Sequence, residues 1–142
     1  MDFKRIYNSE AARYDLLVSR EDYQGNILRA LTEIRPLSGL EIVELGAGTG
    51  RLTRLLAPLM KHMLVMDISP HMLEAARMRQ ENGRCTYAVA ENGRLPAADY
   101  SADLALAGWS IGHLTGWYPD DWPERVDRVV GEMIRVVRPN GT

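Results

Sequence analysis

Ile42-Val43-Glu44-Leu45-Gly46-Ala47-Gly48-Thr49-Gly50 is the stretch that decides the fold. An apolar run carrying one acid opens it and three alternating glycines close it, the pattern of a buried strand turning sharply into a helix. Glycine puts no side chain between backbone and ligand, so such a turn lets main-chain N–H groups approach a bound molecule closely. The next apolar run, Met63-Leu64-Val65-Met66, ends in Asp67. An acid at the tip of a second strand is placed to accept two hydrogen bonds from a ribose diol. Glycine loop and strand-end acid together point to an adenosine-containing cofactor held on a doubly wound sheet.

Working outward, helical patterns occupy the amino-terminal part. Residues 9–18 carry Ala11, Ala12, Leu16 and Leu17, and residues 21–34 place Ile27, Leu28, Leu31 and Ile34 on one stripe. Pro36 and Gly39 end this helical section. From residue 41 the pattern alternates: a strand over 41–45, a helix over 52–60, a strand over 63–67 and a helix over 70–79. Strand alternating with helix predicts a parallel sheet. A third strand is expected over 85–89 and a fourth, nearly all apolar, over 103–107, with a polar, small-residue loop over 95–101 between them. The last helix carries Val126, Val129, Val130, Met133, Ile134 and Val137 on one face. Asp121 is expected to cap its start, with Pro123 in the first turn and Glu124 completing a capping box. The chain thus reads as a single α/β domain over 1–142, with a helical segment over 1–38 and a doubly wound parallel core over 39–142.

Bulk composition narrows the partners. The chain has 142 residues, enough to bury a core without disulfides or metal, and no metal site is expected. Cys85 is its one cysteine, which excludes an intramolecular disulfide framework and makes a cytoplasmic setting the expectation. With 17 basic against 19 acidic residues, dispersed, no basic stripe argues for nucleic acid or anionic lipid. No apolar run approaches the ~18 residues of a membrane span.

The choice among adenosine cofactors rests on spacing. The dinucleotide fingerprint Gly-x-Gly-x-x-Gly needs a third glycine where this chain has Arg51. Glu44-Leu45-Gly46-Ala47-Gly48-Thr49-Gly50 resembles instead motif I of the class I S-adenosylmethionine-dependent methyltransferases. Val65-Met66-Asp67-Ile68-Ser69-Pro70-His71-Met72 resembles that family's second strand, ribose-binding acid and subsequent helix. Ala90-Glu91-Asn92 resembles its segment after the third strand, with Glu91 in place of the commoner Asp and Gly93-Arg94 in place of the usual polar pair before Leu95-Pro96. Ser101-Ala102-Asp103-Leu104 resembles the entry to its fourth strand, and residues 132–141 the helix and turn before its fifth.

The resemblance implies a Rossmann-like fold with strand order 3-2-1-4 and assigns roles. Glu44 would orient the cofactor's amino group, Asp67 would grip the ribose hydroxyls, and Ile68 and Met72 would sandwich the adenine. Glu91 would accept from the adenine amine while the Asn92 amide donates to the ring. Gly46, Ala47, Gly48 and Gly50 form the loop, Trp109 and Ser110 line the methionine side, and Tyr14 belongs to a helix that closes over the cofactor. Family members continue past Pro139-Asn140-Gly141 into a fifth strand and a final hairpin, so the resemblance implies an incomplete sheet. An open edge beside the fourth strand would then invite a second copy of the chain, unless the chain is a piece of a longer protein.

The chemistry implied is methyl transfer to a small-molecule acceptor, an in-line displacement that alignment largely accomplishes. His113 stands where an oxygen or nitrogen acceptor would find a base. The segment 112–122, with Trp117, Tyr118 and Trp122, is either an acceptor-binding lid or an aromatic staple for the last helix, and favours a small apolar or aromatic acceptor. The competing readings are an NAD-dependent oxidoreductase, which Arg51 disfavours, and a cofactor-binding or interaction module without turnover.

Overall fold

The computed structural model describes residues 10–80 and 83–142, apart from the side chains of Ala11, Ala12, Tyr14 and Asp15. Its elements run α1 (Ala11–Val18), α2 (Asn26–Ile34), β1 (Glu41–Leu45), α3 (Arg51–Leu56), β2 (His62–Asp67), α4 (Pro70–Met78), β3 (Cys85–Val89), β4 (Leu104–Ala107), α5 (His113–Trp117) and α6 (Trp122–Val136). The four strands form one parallel sheet in the order β3-β2-β1-β4. The order of strand addition reverses at β1, with β2 and β3 on one side and β4 on the other, which opens a crevice at the strands' carboxyl ends.

Alternation along the strands builds two cores. Ile42, Met63, Val65 and Leu104 face one side, where Leu52, Leu56 and Leu73 from α3 and α4 complete the packing with Ile27, Leu28 and Leu31 of α2. Val43, Leu45, Met66 and Ala105 face the other, against Leu95, Val129 and Val136. A sheet covered on both faces explains why its strands read as continuous apolar runs.

Several boundaries differ from the sequence expectation for local reasons. Helix α2 begins at Asn26 because Gly25 takes φ 67° and the Asp22 carboxylate, across the turn, accepts the Asn26 N–H at 2.8 Å and the Ile27 N–H at 3.2 Å. Its stripe ends at Leu31, since Ile34 is 64% exposed. In α1, Leu16 and Leu17 are exposed, and Val18 is buried. Ser9 lies outside the described residues. Asp121 does not cap α6; its carboxylate pairs with Arg125 at 2.8 Å, while Pro123 does occupy the first turn. On α6 the buried face is carried by Val129 and Val136, with Val130 and Ile134 exposed.

The expected open edge of β4 is covered at its start. Ala102 bridges Val137 in parallel register, the Thr142 N–H donates to the Asp103 carbonyl at 3.0 Å, and the Ala105 N–H donates to the Thr142 carbonyl at 3.0 Å. Residues after α6 therefore run along the start of that edge. Arg138 fastens them to the sheet's amino end by pairing with Glu41 and, at 2.9 Å, with Asp103.

Candidate functional site

At the carboxyl ends of the strands the crevice widens into a cavity of about 700 Å3. Its floor is the glycine loop. The Ala47 N–H donates to the Met66 carbonyl at 2.8 Å, tying the loop to β2, and the Gly48 N–H donates to the Asp67 carboxylate at 2.8 Å. Gly46 has φ 61°, and a Cβ there would lie 2.2 Å from Ser110 Cβ, so the loop and the segment after β4 meet only because residue 46 has no side chain. Ser110 in turn donates to the Leu45 carbonyl and receives the Asn92 side-chain amide, both at 3.3 Å. The ends of β1, β3 and β4 are thus joined around the cavity.

Two buried carboxylates stand on this floor. Asp67, 8% exposed, accepts the Ser69 N–H at 2.9 Å as well as that of Gly48. Burial pushes its pKa up, while these amide donors and the field of His113 oppose the rise. Glu44, 2% exposed, accepts the Thr53 hydroxyl at 2.6 Å. Burial raises its pKa to about 7 against the effect of that hydroxyl, and the Asp67 charge adds to the rise. At pH 7 the site holds a carboxyl poised between its two states, which an arriving cation would ionise.

The wall opposite is aromatic and basic. His113 and Trp117 stack with ring centroids 5.3 Å apart, and burial lowers the His113 pKa while Asp67 opposes the shift. The Arg125 guanidinium lies 3.6 Å from the Tyr118 ring centroid. Trp109 takes φ 60° and is 60% exposed, with the Arg51 guanidinium over its ring.

The cavity brings together Glu44, Gly46, Ala47, Gly48, Asp67, Ile68, Glu91, Asn92, Trp109, Ser110 and His113 of the residues expected from sequence. It does not bring Met72, whose side chain is sealed in the core with its N–H on Ser69 Oγ, because the residue falls on the inward face of α4. Gly50 is buried under α4 instead of on the cavity wall: a Cβ there would lie 2.9 Å from Ala76 Cβ, so it serves helix packing. Tyr14 lies on α1, but its side chain is outside the described residues. Trp117 and Tyr118 line the cavity, whereas Trp122 does not. Sequence reasoning missed Arg94, Arg125 and Arg128 on the wall, and the helix α5 that carries His113. The three-residue spacing of Arg125 and Arg128 was the only signal for their common face.

Comparison with known proteins agrees with this geometry. A family model described as a methyltransferase domain matches residues 43–142. The chain is 28% identical to the ubiquinone/menaquinone biosynthesis C-methyltransferase UbiE of Rubrivivax gelatinosus, over 97% of this chain and 52% of that protein. It is 31% identical to a malonyl-[acyl-carrier protein] O-methyltransferase of Hahella chejuensis, over 95% of this chain and 45% of that protein. The chain spans about half the length of the curated relatives it matches. An S-adenosylmethionine-dependent methyltransferase structure from Mesorhizobium loti superposes with a TM-score of 0.63 at 28% identity, over 82% of this chain and 49% of that one. The matched span takes in all four strands but for the first two residues of β1, and with them the loop and acid around which the cavity is built: the chain belongs to the class I S-adenosylmethionine-dependent methyltransferase family.

Proposed function

We propose that this chain binds S-adenosylmethionine in the cavity and directs its methyl group to a small-molecule acceptor. The observation that carries the reading is the buried Asp67 carboxylate, anchored by the Gly48 and Ser69 amides at the mouth of the glycine loop. A carboxylate fixed by two backbone donors keeps lone pairs for a further pair of hydroxyls, as a ribose diol requires. The donor set fits the remaining groups: Glu44 for the amino group, Glu91 and the Asn92 amide for the adenine edge, and Ile68, half exposed on the wall, for its face. Gly46, Ala47 and Gly48 give close backbone approach, and Trp109 and Ser110 bound the methionine side.

When bound, the cofactor supplies a methyl on a sulfonium that leaves as a neutral thioether. The chain's own residues supply alignment and exclusion of water. His113, on the opposite wall, is the residue suited to take a proton from an oxygen or nitrogen acceptor, and burial favours the neutral imidazole that can do so. Its relatives include a quinone-pathway C-methyltransferase and an acyl-carrier-protein O-methyltransferase, which is consistent with a small acceptor group entering past Trp117 and Tyr118.

Calorimetric titration of S-adenosylmethionine and S-adenosylhomocysteine into the chain tests the reading, with NAD as the competing ligand. Micromolar-range binding that Asp67→Ala lowers about a hundredfold is the expected result. Preference for NAD, or indifference to Asp67→Ala, would overturn it.

A further inference from the structure

The cavity is electrically divided. Glu44, Asp67 and Glu91 gather at the ends of β1, β2 and β3, whereas Arg94, Arg125 and Arg128 gather where the loop after β3 faces α6. We propose that the acceptor carries an anionic oxygen group, a carboxylate or a phosphate, which seats on Arg94, Arg125 and Arg128. The proposal rests on the methyltransferase reading of the same cavity and names the class of acceptor.

The frame that holds these arginines is well built. Glu132 of α6 accepts the Leu95 N–H at 2.7 Å, and Arg135 donates to the Ala97 carbonyl at 2.8 Å and the Leu95 carbonyl at 3.2 Å, so the helix is tied to the loop carrying Arg94. Arg125 is oriented by Asp121 and by the Tyr118 ring. Gly93 lies directly against the Arg128 stem: a Cβ there would be 3.2 Å from Arg128 Cδ, and the absence of one leaves the stem room beside the loop. Among the described residues neither Arg94 nor Arg128 has a carboxylate within ion-pair distance, although Asp121 feels the field of Arg128, and Glu91, whose carbonyl accepts the Arg94 N–H at 3.0 Å, acts on Arg125 where the two groups adjoin. Two guanidiniums beside a third on a concave, partly aromatic wall, without carboxylates of their own, are matched by a planar or tetrahedral oxyanion.

The test titrates inorganic phosphate and, separately, malonate into the chain saturated with S-adenosylhomocysteine, at fixed ionic strength, monitoring tryptophan fluorescence, with malonamide as the neutral control. One of the two anions is expected to bind, with its Kd raised about tenfold in Arg94→Gln/Arg128→Gln and unchanged in Arg77→Gln on α4. Tighter phosphate binding assigns a phosphate-bearing acceptor, and tighter malonate binding a carboxylate-bearing one. Failure of both anions to bind folded protein, or binding that the double substitution leaves intact, overturns the proposal. The cofactor's own carboxylate is separated by comparing S-adenosylhomocysteine with methylthioadenosine, which lacks it. If the double substitution weakens the former about tenfold and spares the latter, the arginines hold the cofactor and the acceptor assignment falls. The anion titration repeated on the ligand-free chain keeps the result independent of whether the cofactor reading holds.

Discussion

The Arg51 guanidinium lies 4.0 Å from the centroid of the Trp109 ring while its Nη1 meets the Glu21 carboxylate at 2.5 Å. One side chain at the start of α3 therefore joins the turn after α1 to the segment after β4, both of which line the cavity. In the sequence Arg51 signified only a missing third glycine; in the fold it is a clasp. Arg51→Ala is expected to weaken S-adenosylhomocysteine binding about threefold to tenfold, since cation–π contact and a partly exposed ion pair each contribute modestly. Chemical denaturation should move by about 1 kcal/mol or less. An unchanged affinity in calorimetry would mean that the rims hold their positions without it.

Glu44 makes cofactor binding pH-dependent. With its pKa raised to about 7 by burial, the empty site is about half protonated at neutrality, and a bound ammonium group would draw it into the ionised state with release of a proton. Affinity for S-adenosylhomocysteine should rise from about pH 6 to about pH 8, with enthalpies that differ between buffers of different ionisation heat. Glu44→Gln should remove both effects. The sign for stability is the reverse. The folded state holds this proton more tightly than the unfolded chain, so the contribution is full below the ordinary carboxyl range and is lost as pH rises through about 7, by about 3 kcal/mol at most. Stability that rises across that window in the parent chain, or an equal slope in Glu44→Gln, would contradict the assignment.

A single methyl group at Gly46 would disrupt the floor of the cavity. Its φ of 61° strains any other residue, and the added Cβ would meet Ser110 Cβ at 2.2 Å. Gly46→Ala is expected to destabilise the chain by about 2–4 kcal/mol and to abolish cofactor binding. Gly46→Ala/Ser110→Gly removes the clash but not the dihedral strain, so it should recover part of the stability in urea unfolding and no more. Full recovery would show that the dihedral carries no cost.

The parts of this molecule that were legible in its sequence are those decided by near neighbours along the chain. Apolar runs ending in Gly46 or Asp67 announce strands, the alternation with helices makes them parallel, and their order, which the family resemblance implied, places the loop and the acid together. Boundaries set by a side chain reaching across a turn, as Asp22 does to Asn26 and Ile27, were hidden because Glu21 to Gln24 look no less helical than residues 26–34. Met72 and Ile68 looked equivalent, but Met72 falls on the inward face of α4 and is buried, whereas Ile68, in the turn before that helix, lines the cavity. Arg94 and Arg128 are 34 residues apart in number and share a wall through Glu132 and Arg135 on Leu95 and Ala97, contacts no local pattern encodes.

His113 links the acidic floor to the aromatic wall, and its titration reads both. Burial beside Trp117 depresses its pKa, and the Asp67 charge partly restores it. By proton NMR the ring should titrate below about 6.5, and Asp67→Asn should lower the midpoint further, since it removes the anion that favours the imidazolium. His113→Asn should flatten the corresponding stability term. That term is present above the ordinary histidine range and is lost as pH falls through the depressed pKa, because the unfolded chain takes up the proton first. A midpoint above about 6.5 would contradict the burial that depresses it, and one that Asp67→Asn raises would contradict the field that Asp67 exerts on the ring.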